Sequence, residues 1–433
     1  MSSLKKKLIY RESDGRPIGV GISGAGWLGS GLVDSIRHTT GMRTVAMADP
    51  DPDRAVGALI SEGRLSRDKI VVVSSEAQAN DAVARGKVVI TDDSAILAGI
   101  DRVDVVTDAT PSPESGAAVA LPALERGKDV VLVNIEADVT VGRQLRRVAV
   151  ANNALYSVSS GDEPGCLAEM WDYFTVLGYQ PIAIGKGKNN PMNPDATPDT
   201  VAESARRDNK DPFQVASYVD GTKTMFELTC VANATGCRPS QPGMTGPNAD
   251  LTTIADTFRL KDDGGSLEFS PVVDYVQGSA MSGGVFLTVK APSRRIADDL
   301  GYLKVGKGPY FTFFRPYHLW FLEAPLSIAR AVLYRETTLV PLDEPVAEVA
   351  TIAKRDLQPG DHLDTFGGYT FRGMNMDATD LFSQNALPVG LAPGAAVVRP
   401  VAQGAVVTWD DVDLDEKSAV VRLRRRQDTI DRG

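Results

Sequence analysis

Apolar and polar positions fall into short alternating blocks over the first third of the chain. Ile18, Val20 and Ile22 alternate with glycine in an apolar strand, and residues 28–36 follow with helical spacing. Residues 44–48 form a second strand closed by Asp49. Further strands are predicted at 87–90, 103–108, 129–133 and 154–159. Between them, Thr91-Asp92-Asp93-Ser94 starts a helix, residues 110–113 form a loop, and a helix over 117–126 ends at Gly127. Another helix runs to Ala151. Strands this apolar, alternating with helices, predict an α/β fold: a doubly wound parallel sheet of the Rossmann kind over residues 1–160, covered on both faces.

The pattern changes after that point. Residues 161–344 mix polar loops (186–198 and 239–248) with a long helix over 222–234, which predicts an α+β substrate or catalytic domain. Residues 345–433 carry short β-type runs parted by Pro359-Gly360 and Pro393-Gly394, with no persistent helical period. They predict a small all-β domain.

The first strand and helix are joined by Gly24-Ala25-Gly26-Trp27-Leu28-Gly29, a G-x-G-x-x-G. Gly24 allows the tight turn, Gly26 lets the backbone approach a pyrophosphate, and Gly29 lets the helix pack close. The helix N-terminus offers free N–H groups to phosphates. This predicts an NAD or NADP site, with Ala25, Trp27 and Leu28 in the same loop. Asp49 stands where a carboxylate takes the adenosine ribose hydroxyls, which favours NAD; the bland alternative is a helix N-cap. Arg54 follows in the same loop and is suited to a 2′-phosphate. Thr110, Ser112, Asn134 and Glu136 stand at strand ends, as caps or as nicotinamide-side contacts.

Composition narrows the partners. The 433 residues imply more than one domain, and a formal charge of −10 argues against nucleic acid. Cys166, Cys230 and Cys237 are too few and too far apart for a zinc knot or a disulfide framework. The N-terminal residues lack the apolar core of a signal peptide, and no apolar run approaches a membrane span. A cytoplasmic enzyme that assembles as a homo-oligomer and acts on a small anionic molecule is the expectation.

Four clusters carry candidate chemistry. Asp162 and Glu163, in Ser160-Gly161-Asp162-Glu163-Pro164-Gly165, are adjacent carboxylates at a strand end, suited to a substrate hydroxyl or a divalent metal, or else to a solvated turn. Lys186, Lys188 and Asn189, in Gly185-Lys186-Gly187-Lys188-Asn189-Asn190, can surround a phosphate or carboxylate. Asp220 is expected to cap the long helix, placing Lys223 and Glu227 on one face as an acid–base set. Arg315 and His318, in an aromatic run, can bind an anion and move a proton, although a lone histidine in such a run is more often a core residue.

Together, the nucleotide fingerprint, Ser-Gly-Asp-Glu-Pro-Gly, Gly-Lys-Gly-Lys-Asn-Asn, Asp-Gly-Thr-Lys and Arg-Pro-Tyr-His-Leu resemble a bacterial group of homoserine-dehydrogenase-like oxidoreductases. Residues 346–424, with Ala353-Lys354-Arg355-Asp356-Leu357-Gln358-Pro359-Gly360, resemble the SAF domain of sialic acid synthases. One branch of the group is reductoisomerase-like and acts on 1-deoxy-D-xylulose 5-phosphate with NADPH. That resemblance implies Lys186 and Lys188 at the substrate phosphate and Lys223 near the reacting carbonyl. The alternatives are a homoserine-type 3-hydroxy acid dehydrogenase and a nucleotide-binding redox sensor without turnover.

Overall fold

The computed structural model describes residues 3–432. Its contacts divide the chain into two units. The first holds the residues through Gly165, Leu319–Val340 and Arg422–Gln427. The second holds Cys166–His318, Pro341–Val421 and the residues from Asp428.

The first unit opens with α1 (Ser3–Ser13), β1 (Ile18–Ser23), α2 (Trp27–His38), β2 (Met42–Ala48) and α3 (Pro52–Ser61). There follow β3 (Ile70–Val72), α4 (Glu76–Ala84), β4 (Val88–Thr91), β5 (Val105–Asp108), α5 (Pro113–Glu125), β6 (Asp129–Leu132), α6 (Ile135–Ala151) and β7 (Tyr156–Val158). The seven strands lie in the order β3-β4-β2-β1-β5-β6-β7, every neighbouring pair parallel. β1, β5 and β6 are buried throughout, which is why these segments are largely apolar in the sequence, with polar residues only at their ends. The order reverses at β1, whose neighbours are β2 and β5. The ends of β1 and β5 therefore flank a switch point, where doubly wound sheets bind ligands.

Several details differ from the sequence pattern. The helix expected to start at residues 91–94 is a short 3-10 helix over Ser94–Gly99, capped by Asp93. The proposed loop at 110–113 is shorter, because Ser112 caps α5 through the Ser115 N–H and Pro113 is its first residue. The edge strand β3 and the short α4 were not anticipated.

The second unit begins in α7 (Glu163–Val176), whose first turn belongs to the first unit. It continues through β8 (Gln180–Lys188), α8 (Ala202–Arg207), α9 (Pro212–Val219), α10 (Thr222–Thr235), β9 (Arg238–Pro239), α11 (Ile254–Thr257), β10 (Val272–Gln277), β11 (Val285–Lys290), α12 (Arg294–Tyr302) and β12 (Tyr310–Arg315). Its mixed sheet runs β12-β11-β8-β10-β9, with β8 parallel to β10 and antiparallel to β11. The polar loop expected from residue 186 starts later, because β8 extends through Lys188. Helix α13 (Trp320–Tyr334) returns to the first unit and packs on α2.

Beyond residue 345, β13 (Ala347–Ala353) pairs antiparallel with β14 (Phe371–Asp377), and both pack on α10. This segment is not purely β. It also contains α14 (Ala378–Ser383) and, after the short pair β15 (Ala396–Val397) and β16 (Val412–Asp413), α15 (Ala419–Asp431). The period of α15 is hidden because Arg424 and Gln427 are among its buried residues. Arg424 donates to the Thr140 carbonyl, and Gln427 accepts from the Gln144 N–H of α6. No helix among the described residues is long and apolar enough to cross a membrane.

Candidate functional site

In the first unit the three glycines meet the demands of a phosphate-binding turn. Gly24 has φ +93°, and a side chain there would meet the Ala109 carbonyl oxygen at 2.9 Å. At Gly29 a Cβ would overlap the Gly24 carbonyl, so the helix can approach the turn only without one. Gly26 caps α2, and nothing lies within 4 Å of its missing Cβ. That open cradle at a helix N-terminus fits a pyrophosphate. Trp27 is 69% exposed and meets Phe321 edge-on at 5.5 Å; Leu28 is half-buried and Ala25 buried.

Asp49 is buried beside this turn. Its Oδ2 accepts the Ala25 N–H at 2.7 Å and its Oδ1 the Asp51 N–H at 2.9 Å. The cap of α3 is Asp51, so the helix-cap alternative for Asp49 is overturned. A carboxylate has about four acceptor positions, so these two bonds leave capacity for ribose hydroxyls. Arg54 lies 3.9 Å from Asp49 and 3.7 Å from Asp51.

At the end of β5, Asn134 donates to Asp108 Oδ2 at 3.0 Å, to the Ser112 carbonyl at 2.7 Å and to Thr110 Oγ1 at 3.3 Å, and it caps α6. Glu136 lies in the first turn of that helix. Asp108 itself escaped the sequence reading. The available signal was the one used for Asp49, a carboxylate closing an apolar strand.

The turn Ser160-Gly161-Asp162 follows β7. Ser160 donates its N–H to Ser327 Oγ at 2.7 Å, and Gly161 has φ +95° with the α13 backbone 2.7 Å from its missing Cβ. Asp162 is half-buried, and Glu163 is buried as the first residue of α7. Adjacent hard oxygen donors of this kind suit a divalent cation of the magnesium class.

In the second unit, Lys186 and Lys188 lie two residues apart on β8 and share one face. Lys186 Nζ pairs with Glu227 Oε2 of α10 at 2.5 Å. Lys188 is 5% exposed and donates to the Tyr218 carbonyl at 2.5 Å. Burial and the neighbouring Lys186 push the Lys188 ammonium down to about 8, with Glu227 and Asp220 opposing. Asn189 is exposed at the strand end, 3.5 Å from the Cβ position of Gly283. The carbonyl of that same Gly283 meets His318 Nδ1 at 2.9 Å. Thus Lys186, Lys188, Asn189, Glu227 and His318 gather around the end of β8. Arg315 stacks over Tyr317 at 4.6 Å, with Glu169 4.0 Å away.

Asp220 does not cap α10. The cap is Gly221, in the left-handed region at φ +92°, which a residue with a Cβ rarely adopts. Asp220 instead ends α9 and pairs with Lys354 at 2.7 Å. Burial pushes its carboxyl up, and the Lys354 ammonium opposes that shift. Lys223, in the first turn of α10, is half-buried. Lys354 stands beside Arg355 and Asp356 in the sequence without forming a clustered acid–base set, and its partner Asp220 lies in a distant segment that spacing does not connect to it.

Comparison with known proteins gives two successive matches. Residues 24–158 match the family model for the homoserine dehydrogenase NAD-binding domain. Residues 161–324 match the model for the catalytic domain of the oxidoreductase DRL. No curated protein matches the sequence. Among solved structures, a DOX-P reductoisomerase with fosmidomycin and magnesium is similar at 17% identity and TM-score 0.36, over 49% of this chain and 56% of that one. The match thus spans little more than half of that enzyme. A probable dehydrogenase from Thermotoga maritima has 11% identity and TM-score 0.42, over 74% and 90% of the two chains. The scyllo-inositol dehydrogenase from Lactobacillus casei, with NAD(H) and scyllo-inositol, has 14% identity and TM-score 0.36, over 63% and 73%.

Proposed function

We propose that this NAD(P)-dependent oxidoreductase, which matches the models of an NAD-binding domain and of a DRL catalytic domain, acts on a small anionic keto sugar or polyol, phosphorylated or acidic, in a reductoisomerase-like reaction. The observation that carries the substrate class is the pair of ammonium groups on one face of β8, one of them deeply buried. Burying a lysine is costly unless something compensates, and a bound anion would do so.

In this reading Lys186 and Lys188 hold the anionic group, with Asn189, Arg315 and His318 around it. Glu227 orients Lys186 through their ion pair. Lys223 gives a proton to the substrate carbonyl oxygen in reduction and removes it in oxidation. Asp220 acts through its pairing with Lys354, as a positioning residue. Asp162 and Glu163 supply the oxygen donors for a divalent cation. The nicotinamide, when bound, donates or accepts the hydride. Gly24, Gly26 and Gly29 seat its dinucleotide, with Asp49 and Arg54 at the adenosine ribose and Thr110, Asn134 and Glu136 at the other end. Residues 346–424 form an SAF-like module that contributes Lys354 to the catalytic unit.

The test is a screen of phosphorylated and acidic keto sugars and polyols with both cofactors, followed by nicotinamide absorbance with and without magnesium. Turnover confined to anionic substrates supports the reading. Turnover of neutral polyols alone, or of homoserine, overturns it.

A further inference from the structure

We propose that Asp108 is a positioning residue which couples dinucleotide binding to proton uptake, by holding the turn after β5 against the first glycine of the fingerprint and losing its charge when the anionic cofactor arrives. Asp108 ends β5 opposite Ser23, the residue before Gly24. The Ala109 N–H donates to the Ser23 carbonyl at 2.8 Å, and the Ala109 carbonyl bounds the space beside Gly24. Asp108 Oδ1 accepts the Thr110 N–H at 3.1 Å, and Oδ2 accepts Asn134 Nδ2 at 3.0 Å. Helix α5 presses on this cluster at Gly116, where a Cβ would lie 2.9 Å from Asn134 Nδ2 and 3.1 Å from Asp108 Oδ2.

The carboxyl is fully buried, and the donors named are all neutral. From the surrounding elements, β1 and β6 contribute Ser23 and Leu132, α5 carries Glu114 in its first turn, and α6 carries Glu136, which is a like charge acting on Asp108. Burial pushes Asp108 up to about 7, with the Thr110 and Asn134 hydrogen bonds opposing. A dinucleotide brings a negatively charged pyrophosphate to the same end of the sheet. Like charge favours the neutral acid, so binding draws in a proton. The argument needs only the dinucleotide site and is independent of the substrate proposed for the second unit.

The experiment is calorimetric titration of NADH into the full chain near neutral pH, in two buffers of different ionisation enthalpy. The expected result is fractional proton uptake, absent in Asp108→Asn. For each unit by which binding raises the Asp108 pKa, wild-type affinity falls up to about tenfold as pH rises through about 7, and it stays flat in Asp108→Asn. Thr110→Val keeps the backbone N–H bond but removes the hydrogen bond of the Thr110 hydroxyl to the carboxylate, which also opposes the upward shift, so the uptake maximum moves to higher pH. Zero uptake by the wild type overturns the proposal, as does equal uptake in Asp108→Asn or an unmoved maximum in Thr110→Val. Failure to bind either NADH or NADPH would instead overturn the dinucleotide site itself.

Discussion

Lys354 Nζ lies 2.7 Å from Asp220 Oδ2, with both side chains almost wholly buried. The ammonium also donates to the carbonyls of Ala196 at 2.6 Å and Gly368 at 2.9 Å, which uses its three hydrogens. Asp220 Oδ1 accepts the Thr222 N–H at 2.8 Å, and Thr222 Oγ1 accepts the Gly373 N–H at 2.9 Å. A residue beyond position 345 therefore fixes the junction between α9 and α10. That junction carries Tyr218, which holds Lys188, and starts the helix that bears Lys223 and Glu227.

Removing Lys354 alone leaves a buried carboxylate without its partner. Lys354→Met is expected to destabilise the protein by about 3–5 kcal/mol, whereas Lys354→Met combined with Asp220→Leu recovers much of that loss. Chemical denaturation of the three proteins checks this. Equal stability of Lys354→Met and wild type would show that the pair contributes nothing.

The glycines of the first unit separate binding from folding. Gly26→Val places its side chain in open space, so the protein should fold normally and lose NAD(H) affinity. Gly29→Ala drives a Cβ into the Gly24 carbonyl and should lower the melting temperature. Calorimetry of each variant, for unfolding and for cofactor binding, distinguishes the two effects.

The proposed ribose end of the site holds the Asp49 carboxylate, and Arg54 is more than half exposed. NAD(H) should therefore bind at least as well as NADP(H), and Asp49→Ser should shift the preference toward NADP(H). Parallel titrations with both cofactors check this. A strong wild-type preference for NADP(H) would show that Arg54 dominates.

Lys188 gives the second unit a pH dependence. Its folded-state value of about 8 lies below the ordinary 10.5 of a free lysine. Below about 8 both folded and unfolded states hold the proton, and the folded state bears the full cost of the buried charge. Between about 8 and 10.5 the unfolded state binds more protons, so this group makes stability rise with pH. Anion binding follows the opposite course, because it needs the charged form: it is strongest below about 8 and weakens above. Denaturation midpoints across this range, compared with Lys188→Met, check the sign.

Much of the first unit was legible because its strands are buried on both faces and its glycines each answer a local steric demand. The short edge strand β3 escaped although Ile70-Val71-Val72 is wholly apolar, because a run of only three strand residues is too short to fix an element by periodicity. In the second unit the residue types of the site were legible, but their partners were not. Spacing alone pairs Glu227 with Lys223 on one helix, whereas the structure brings Lys186 to Glu227 from a distant strand. Lys354 and Asp220 likewise meet only through tertiary packing. The last helix was hidden because buried arginine and glutamine replace the apolar residues that mark a period.

The account rests most on the proposed anion site around β8, and steady-state kinetics of Lys188→Ala and Lys223→Ala on the best anionic substrate test it most directly. Loss of a charge-assisted contact is worth about 1.5–3 kcal/mol, or about 10- to 100-fold. The account predicts that Lys188→Ala raises KM by that factor with little change in kcat, that Lys223→Ala lowers kcat more than it raises KM, and that neither alters NADH affinity. Wild-type kinetics in both variants, or equal losses of cofactor affinity, would contradict it.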